Sequence, residues 1–431
     1  MKSGAISSSG GIFDIRRLSL GAIVLFAFAA RAVFLARGGS QWIFSADADY
    51  YLALAQGFLN GCGFAPFEGA CGPPEVMRVP GYPLFLIPFV SHYRAVVLVQ
   101  AVLGALTCLL VARVAARKHG LMAGLIAAAF IATDVPTILA TKEIMSEALF
   151  QFVAFLAIFA CFEGQGSLST VLLASCIFIR PVGLVLIPVG VLVLIAGRNW
   201  TAALIALGVS ALVVAGWVVR NDRQAGISSF TVEGAANLFW FTAPGVIARH
   251  DQVPYALAEE HLQHSLNADL ARVNTYKPSL IWGPAATPAG SHLMLSQAVA
   301  VIRRYPADAA IVTLEGFAQL AFQPYQLETG WHGFIENKQL FEGIRLISTA
   351  LQTVLLFLLW SGVVLAMVNE GNEPERWLLL AASLLLLLAA SPFAGNLNAR
   401  FRTPAIPFAA VLAGIGWAPL VLRALWRSRT T

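Results

Sequence analysis

The chain has 431 residues, of which 58% are apolar and 12% charged, about half the charged share of an ordinary soluble domain. A soluble chain of this length would need charged surface around roughly three domains, so the balance excludes a soluble globular protein, along with disordered, collagen-like and coiled-coil classes. The formal charge of +5 comes without a basic cluster interleaved with aromatics, so no nucleic-acid partner is expected and the excess fits orientation in a membrane.

Residues 1–17 are polar, with Lys2, Arg16 and Arg17 ahead of the first apolar run and no short apolar core leading to a small-residue cleavage site. They read as a retained cytoplasmic end. Runs near the length that crosses about 30 Å of hydrocarbon then follow in order: Leu18 to Leu35 carrying Arg31, Ala95 to Ala112, Leu121 to Ala140 carrying Asp134, and Ile144 to Phe162 carrying Glu147. Leu168 to Gly197 is too long for one span and is broken by Arg180 and Pro181, which predicts two short helices meeting at that pair. Trp200 to Val219, Leu346 to Asn369, Trp377 to Gly395 and Thr403 to Leu422 bring the predicted spans to ten.

The fold class is therefore an all-α polytopic membrane protein. Residues 18–219 form a seven-helix module that includes a long loop over 38–93, residues 220–345 form a small helical cap, and residues 346–431 form a three-helix module with a basic tail. Lys and Arg in short loops stay on the cytoplasmic side. Placing Arg113, Arg117, Lys118, Arg198, Arg376, Arg423, Arg427 and Arg429 there puts both termini inside and both long polar segments outside. Ala309 to Phe322 is apolar enough to tempt an eleventh span, but Glu315 interrupts it and Arg304 and Asp308 flank it, so it reads as an interfacial or packed amphipathic helix.

The first outer loop opens with Asp47, Asp49 and Tyr51 at a predicted helix start. Either aspartate can serve as a helix cap favoured by the positive dipole end. Alternatively, a carboxylate at the rim of a membrane cavity can act as a general base, since an aspartate is ionised at neutral pH. Cys62 and Cys71 share this loop, and in an oxidising compartment they are placed to close a small ring; the other reading is two unpaired thiols among glycines. Arg78-Val79-Pro80-Gly81-Tyr82-Pro83 ends the loop, either as a turn with a snorkelling arginine and an interfacial tyrosine or with Arg78 set against a lipid phosphate. Arg180, between two apolar runs, is costly unless it faces a polar cavity or pairs with Glu147, Asp134 or backbone carbonyls. Arg400 and Arg402 precede the last span, where interface anchoring is the plain reading.

Taken in order, Asp47 with Tyr51-Leu52-Ala53-Leu54-Ala55, Arg78 with Pro80-Gly81-Tyr82-Pro83, Ser146-Glu147-Ala148-Leu149-Phe150, Arg180-Pro181 and Arg400-Phe401-Arg402-Thr403-Pro404 resemble membrane-embedded glycosyltransferases of the GT-C superfamily. The branch resembled is that of the protein O-mannosyltransferases and the aminoarabinose transferase of lipid A. The resemblance implies a sugar donor on a polyprenyl phosphate, taken from the bilayer, and transfer to a lipid, glycan or protein acceptor at the periplasmic face of a bacterial inner membrane. Asp47 matches the family's acidic residue four before the tyrosine, with Asp49 as the second candidate; relatives with an adjacent Asp-Glu pair differ here, which leaves metal dependence open, and no cofactor is expected. A departing phosphate gains negative charge, so preorganised cations favour the transition state. Arg78, Arg180, Arg400 and Arg402 are the candidates, since arginine holds phosphate through paired hydrogen bonds. Tyr51, Tyr82, Lys142, Glu147, Asn221 and Asn237 are expected around the cavity and substrates.

In the cap, Glu233, Trp240, Trp331 and His332 are also types that suit a sugar, giving this segment an acceptor-selecting role. Glu260 and His264 share a helix face without further ligands at metal-binding spacing, and no metal site is expected. Phosphate-cradling glycine loops and serine-nucleophile signatures are absent. Two other classes fit the spans: a transporter or flippase of lipid-linked precursors, which calls for midplane polar residues and internal repeats, and a non-catalytic subunit of an envelope-assembly complex.

Overall fold

The computed structural model describes residues 9–37, 46–273, 283–325, 338–368, 373–392 and 399–428; Trp331 and His332 lie outside them. The first α-helices are α1 (Ser9–Arg37), α2 (Ala46–Leu59), α3 (Gly81–Leu86), α4 (Tyr93–Thr133), α5 (Val135–Leu139), α6 (Glu147–Phe162), α7 (Gly166–Ile179), α8 (Leu186–Ala196) and α9 (Trp200–Ala225). The cap follows as α10 (Glu233–Asn237), α11 (Ala243–Asp251), α12 (Tyr255–Val273), α13 (Pro288–Arg304) and α14 (Pro306–Phe322), and the chain closes with α15 (Lys338–Val368), α16 (Pro374–Ala390) and α17 (Ile406–Arg427).

Helices α4, α9, α15 and α17 are each long and apolar enough to cross a membrane, and shorter apolar helices cover Leu18–Val33, Glu147–Phe162, Gly166–Ile179 and Pro181–Ala196. The protein is an integral membrane protein built of helices. Helix α4 holds two of the predicted spans, because Gly120 at φ +79° breaks it, a backbone state glycine adopts without a Cβ penalty. The two arms fold against each other, with Cys108 Sγ 3.4 Å from the carbonyl of Ala128. The second arm stops at Thr133 rather than Ala140. Asp134 accepts a hydrogen bond from Thr137 N at 3.0 Å and starts the separate turn α5, where Pro136 sits.

Helices α4, α17, α1 and α15 pack in one group, and α6 to α9 in another, with α16 between α8 and α17. Small residues permit this: Ala127, Ala128, Ala409, Ala410 and Ala413 are all fully buried, and apolar contact between membrane helices depends on close backbone approach. Arg31 is buried in α1 and donates to the carbonyls of Ala27 at 2.9 Å and Ile131 at 3.0 Å, so its charge fastens α1 to α4. A second core under the cap joins Val76 and Met77 of the first loop to Val232, Phe239, Leu262, Leu266 and Met294. Ala309 to Phe322 falls within α14, which packs on α11 and α16; Ala309 and Val312 bury against Val246.

Candidate active site

Five chain segments converge at one end of the bundle. Asp47 and Tyr51 stand four residues apart on α2, hence on one helix face, and Asp47 lies in the first turn, where a carboxylate is favoured. The Arg78 loop is brought against the end of α7 by Gly81, where an added Cβ would lie 2.5 Å from the carbonyl oxygen of Phe178. That contact sets Arg78 close to Arg180, whose extended backbone ends α7 as expected for a residue before proline. Ser146 and Glu147 start α6. Arg400 comes from a 3₁₀ turn, Ala399–Arg402.

Arg78 donates to Asp47 Oδ1 at 2.6 Å and to Glu233 Oε1 at 2.9 Å, bridging the first loop to the cap. Arg400 Nη2 is 3.5 Å from Asp47 Oδ2, and its Nε is 4.0 Å from Glu147 Oε1. Arg180 Nη1 lies 2.8 Å from Glu147 Oε1 and donates to Ser146 Oγ at 3.0 Å. The Arg78 guanidinium also stands 5.5 Å from the centre of the Tyr51 ring, a cation–π distance. Three guanidinium groups thus face three carboxylates, with Glu147 only 2% exposed.

Asp47, Tyr51, Arg78, Glu147, Arg180, Glu233, Asn237, Trp240 and Arg400 line a cavity of about 360 Å³. A second chamber of about 290 Å³ shares Tyr51, Arg78, Arg180, Glu233 and Asn237 with it. Its other walls are apolar, among them Val182, Leu184 and Val185 on one side and Leu386, Ala389 and Ala390 of α16 on the other. Arg78 and Arg180 therefore stand where a polar hollow meets an apolar slot. An amphiphile with an anionic head fits that division: head on the guanidinium groups, tail in the slot.

Several expected residues take other places. Asp49 is exposed and lies off the face shared by Asp47 and Tyr51, since a two-residue step turns about 200° around a helix. Tyr82 is fully buried and donates to Gln100 Oε1 at 2.8 Å; Gln100 in turn binds the carbonyls of Thr141 and Glu143, so this tyrosine locks α3 to α4 behind the site. Lys142 pairs with Glu143 at 3.2 Å and is not among the cavity walls. Asn221 is buried at the end of α9, where it donates to the carbonyls of Ser229 and Phe230 at 2.9 Å each and shapes the start of the cap. Arg402 is 1% exposed, donates to the carbonyl of Gln323 and lines a small pocket with Asp134 and Gln352 instead. We therefore expect Arg402→Met to cost about 1–3 kcal/mol of stability, the range for a charged hydrogen-bonding group lost from the interior, while substrate KM stays within twofold; thermal unfolding beside kinetics checks both.

Cys62 and Cys71 form a disulfide with Cα atoms 5.5 Å apart, closing the loop between α2 and Arg78. Glu233, named from sequence only as a sugar contact, is also an ion-pair partner of Arg78. Asn237 and Trp240 reach the cavity because α10 runs into a π-helical turn, Leu238–Thr242, a distortion often found at functional sites. Phe241, Phe401, Met77 and Met145 complete the walls, and no spacing in the sequence distinguishes these from core residues.

No family model and no curated protein matches the chain. Solved structures do. The oligosaccharyltransferase of Archaeoglobus fulgidus tethered with an acceptor peptide containing the NVT sequon superposes with a TM-score of 0.52 at 13% identity, over 96% of this chain and 50% of that one. The archaeal oligosaccharyltransferase AglB from Archaeoglobus fulgidus in complex with an inhibitory peptide and a dolichol-phosphate gives 0.49 at 13% identity, over 96% and 52%. ArnT from Cupriavidus metallidurans in the apo state gives 0.37 at 13% identity, over 96% and 78%. The chain spans about half the length of the oligosaccharyltransferases it matches, and it shares the fold of the peptide-tethered one.

Proposed function

We propose that the protein is a glycosyltransferase that moves a sugar from a polyprenyl-phosphate carrier to an acceptor hydroxyl on the non-cytoplasmic side of the membrane. The observation that carries this reading is the meeting of Asp47 with Arg78, Arg180 and Arg400 in one cavity that continues into an apolar slot. In the reaction, the acceptor oxygen attacks the anomeric carbon and Asp47 takes its proton. The bond from that carbon to the phosphate oxygen breaks, and its electron pair leaves with the phosphate. Arg180, on the wall common to both chambers, meets the growing negative charge together with Arg78 and Arg400. Such fixed cations assist more in a water-poor cavity than in bulk water. The prenyl tail lies between the Pro181–Val185 turn and α16. Asn237 and Trp240 take the sugar or acceptor, through amide hydrogen bonds and an indole face, and the cap over 220–345 selects the acceptor. The acceptor is an envelope lipid, a glycan or a protein, and the membrane is the bacterial inner membrane with both termini inside.

Incubation of the purified protein with defined polyprenyl-phosphate sugars and envelope lipid extracts, with mass spectrometry of the products, tests the donor class. Transfer from the lipid-linked sugars and none from sugar nucleotides is expected. Preference for a nucleotide donor would reject the reading, and movement of intact lipid-linked material across the bilayer without transfer would favour a flippase.

A further inference from the structure

Behind the cavity lies a carboxylate that is not itself among its walls. Glu75 is 3% exposed. Its Oε1 accepts the backbone N–H of Met77 at 2.5 Å and of Arg78 at 2.6 Å, and its Oε2 accepts the hydroxyl of Tyr50. Tyr50 sits on α2, three residues beyond Asp47. One buried side chain therefore joins the helix that carries Asp47 to the loop that carries Arg78. Its own backbone is held as firmly: Glu75 N donates to the carbonyl of Phe64 at 2.9 Å, and Arg220 donates to the carbonyls of Glu75 and Phe64.

We infer that Glu75 is a positioning residue, whose ionised carboxylate sets the Arg78 guanidinium against Asp47. The inference rests on the reading of Asp47 and Arg78 as reacting-site groups. Its chemical basis is the character of the partners. An ionised carboxylate accepts from all its neighbours at once, whereas a protonated one carries a hydrogen that must point at an acceptor. Around Glu75 stand two amide N–H groups, which only donate, and one tyrosine hydroxyl. Protonation forces the Tyr50 hydroxyl to turn or one amide to lose its partner, and either change loosens the link between α2 and Arg78.

The charged and titratable groups facing Glu75 are Tyr50 from α2, Arg78 from its own loop and Arg220 from α9, with Glu233 of the cap joined through Arg78. Burial pushes the Glu75 carboxyl up to about 7, against the pull of the Arg78 and Met77 amides and the charges of Arg78 and Arg220. The carboxylate form, and with it the ordered Arg78 loop, is thus lost as pH falls through about 7, within the working range of an envelope enzyme.

The test uses the full chain in nanodiscs, as wild type, Glu75→Gln and Tyr50→Phe, with two readouts. The first is initial transfer rate from a polyprenyl-phosphate sugar between pH 5.5 and 9. The second is hydrogen exchange of the peptide over residues 75–79, which lies between prolines and so reports few amides besides Met77 and Arg78. Glutamine keeps the shape but is neutral at every pH. At pH 8 Glu75→Gln is expected to lower kcat about tenfold with KM within threefold, to flatten the low-pH limb seen in the wild type, and to speed exchange at least tenfold. Tyr50→Phe removes a donor to the anion, so its limb moves to higher pH. A Glu75→Gln protein that keeps the wild-type limb, or whose 75–79 peptide exchanges at the wild-type rate, overturns the inference. Faster exchange in Glu75→Gln beside a wild type that transfers no sugar leaves the link standing and rejects the glycosyltransferase reading instead.

Discussion

Asp47→Asn is expected to reduce sugar transfer by about 100- to 10,000-fold, the range a positioned general base contributes, while the protein still folds into the membrane. Asparagine is nearly isosteric and keeps an oxygen that accepts from Arg78, now 2.6 Å away, so the fold loses little. Asp47 is one-fifth exposed and borders the cavity. What asparagine cannot do is take the acceptor's proton. Asp49→Asn is the companion variant: Asp49 is exposed and does not border the cavity, so its activity is expected within twofold of wild type. Initial rates by mass spectrometry, with thermal unfolding as the folding check, decide the matter, and turnover within tenfold of wild type in Asp47→Asn would remove the proposed base.

Arg180→Met carries the second large effect, and it has two separable parts. Arg180 pairs with Glu147 at 2.8 Å, and Glu147 is 2% exposed. Removing Arg180 leaves Glu147 only the more distant Arg400, at 4.0 Å; breaking a buried pair costs up to about 3–5 kcal/mol, so Arg180→Met is expected to be markedly less stable. It is also expected to weaken binding of the lipid-phosphate donor by about 10- to 100-fold, as loss of a charge-assisted hydrogen bond does. The double variant Arg180→Met with Glu147→Gln separates these: neutralising Glu147 restores most of the stability and none of the donor affinity. If donor affinity returns with stability, Arg180 holds the fold and nothing more.

How far the sequence reaches depends on whether a residue acts through its own segment or through distant ones. The helices were legible because apolar length alone sets a span, and Arg180-Pro181 marked its own break. Asp47 and Asp49 stay open in the sequence; on the folded helix Asp47 borders the cavity beside Tyr51, while Asp49 is exposed. Arg400 and Arg402 were not separable. They sit in a 3₁₀ turn, where a two-residue step is two-thirds of a turn, so one faces the cavity and the other Gln323. Glu75 and Arg220 gave no signal at all, because their partners lie on loops and other helices and no periodicity marks them. Glu147 was weighed both as a partner of Arg180 and as a rim residue, and it is both: a nearly buried ion-pair partner that still borders the cavity.

The arrangement on which the mechanism depends is an anionic lipid head among the guanidinium groups with its tail in the apolar slot. Cryo-electron microscopy of the protein in nanodiscs with a non-transferable polyprenyl-phosphate sugar tests it directly. The phosphate is expected within hydrogen-bond reach of Arg180 and of Arg78 or Arg400, the anomeric carbon facing Asp47, and the tail between the Pro181–Val185 turn and α16. A phosphate seated away from these arginines, or a tail leaving the cavity by another route, contradicts the account.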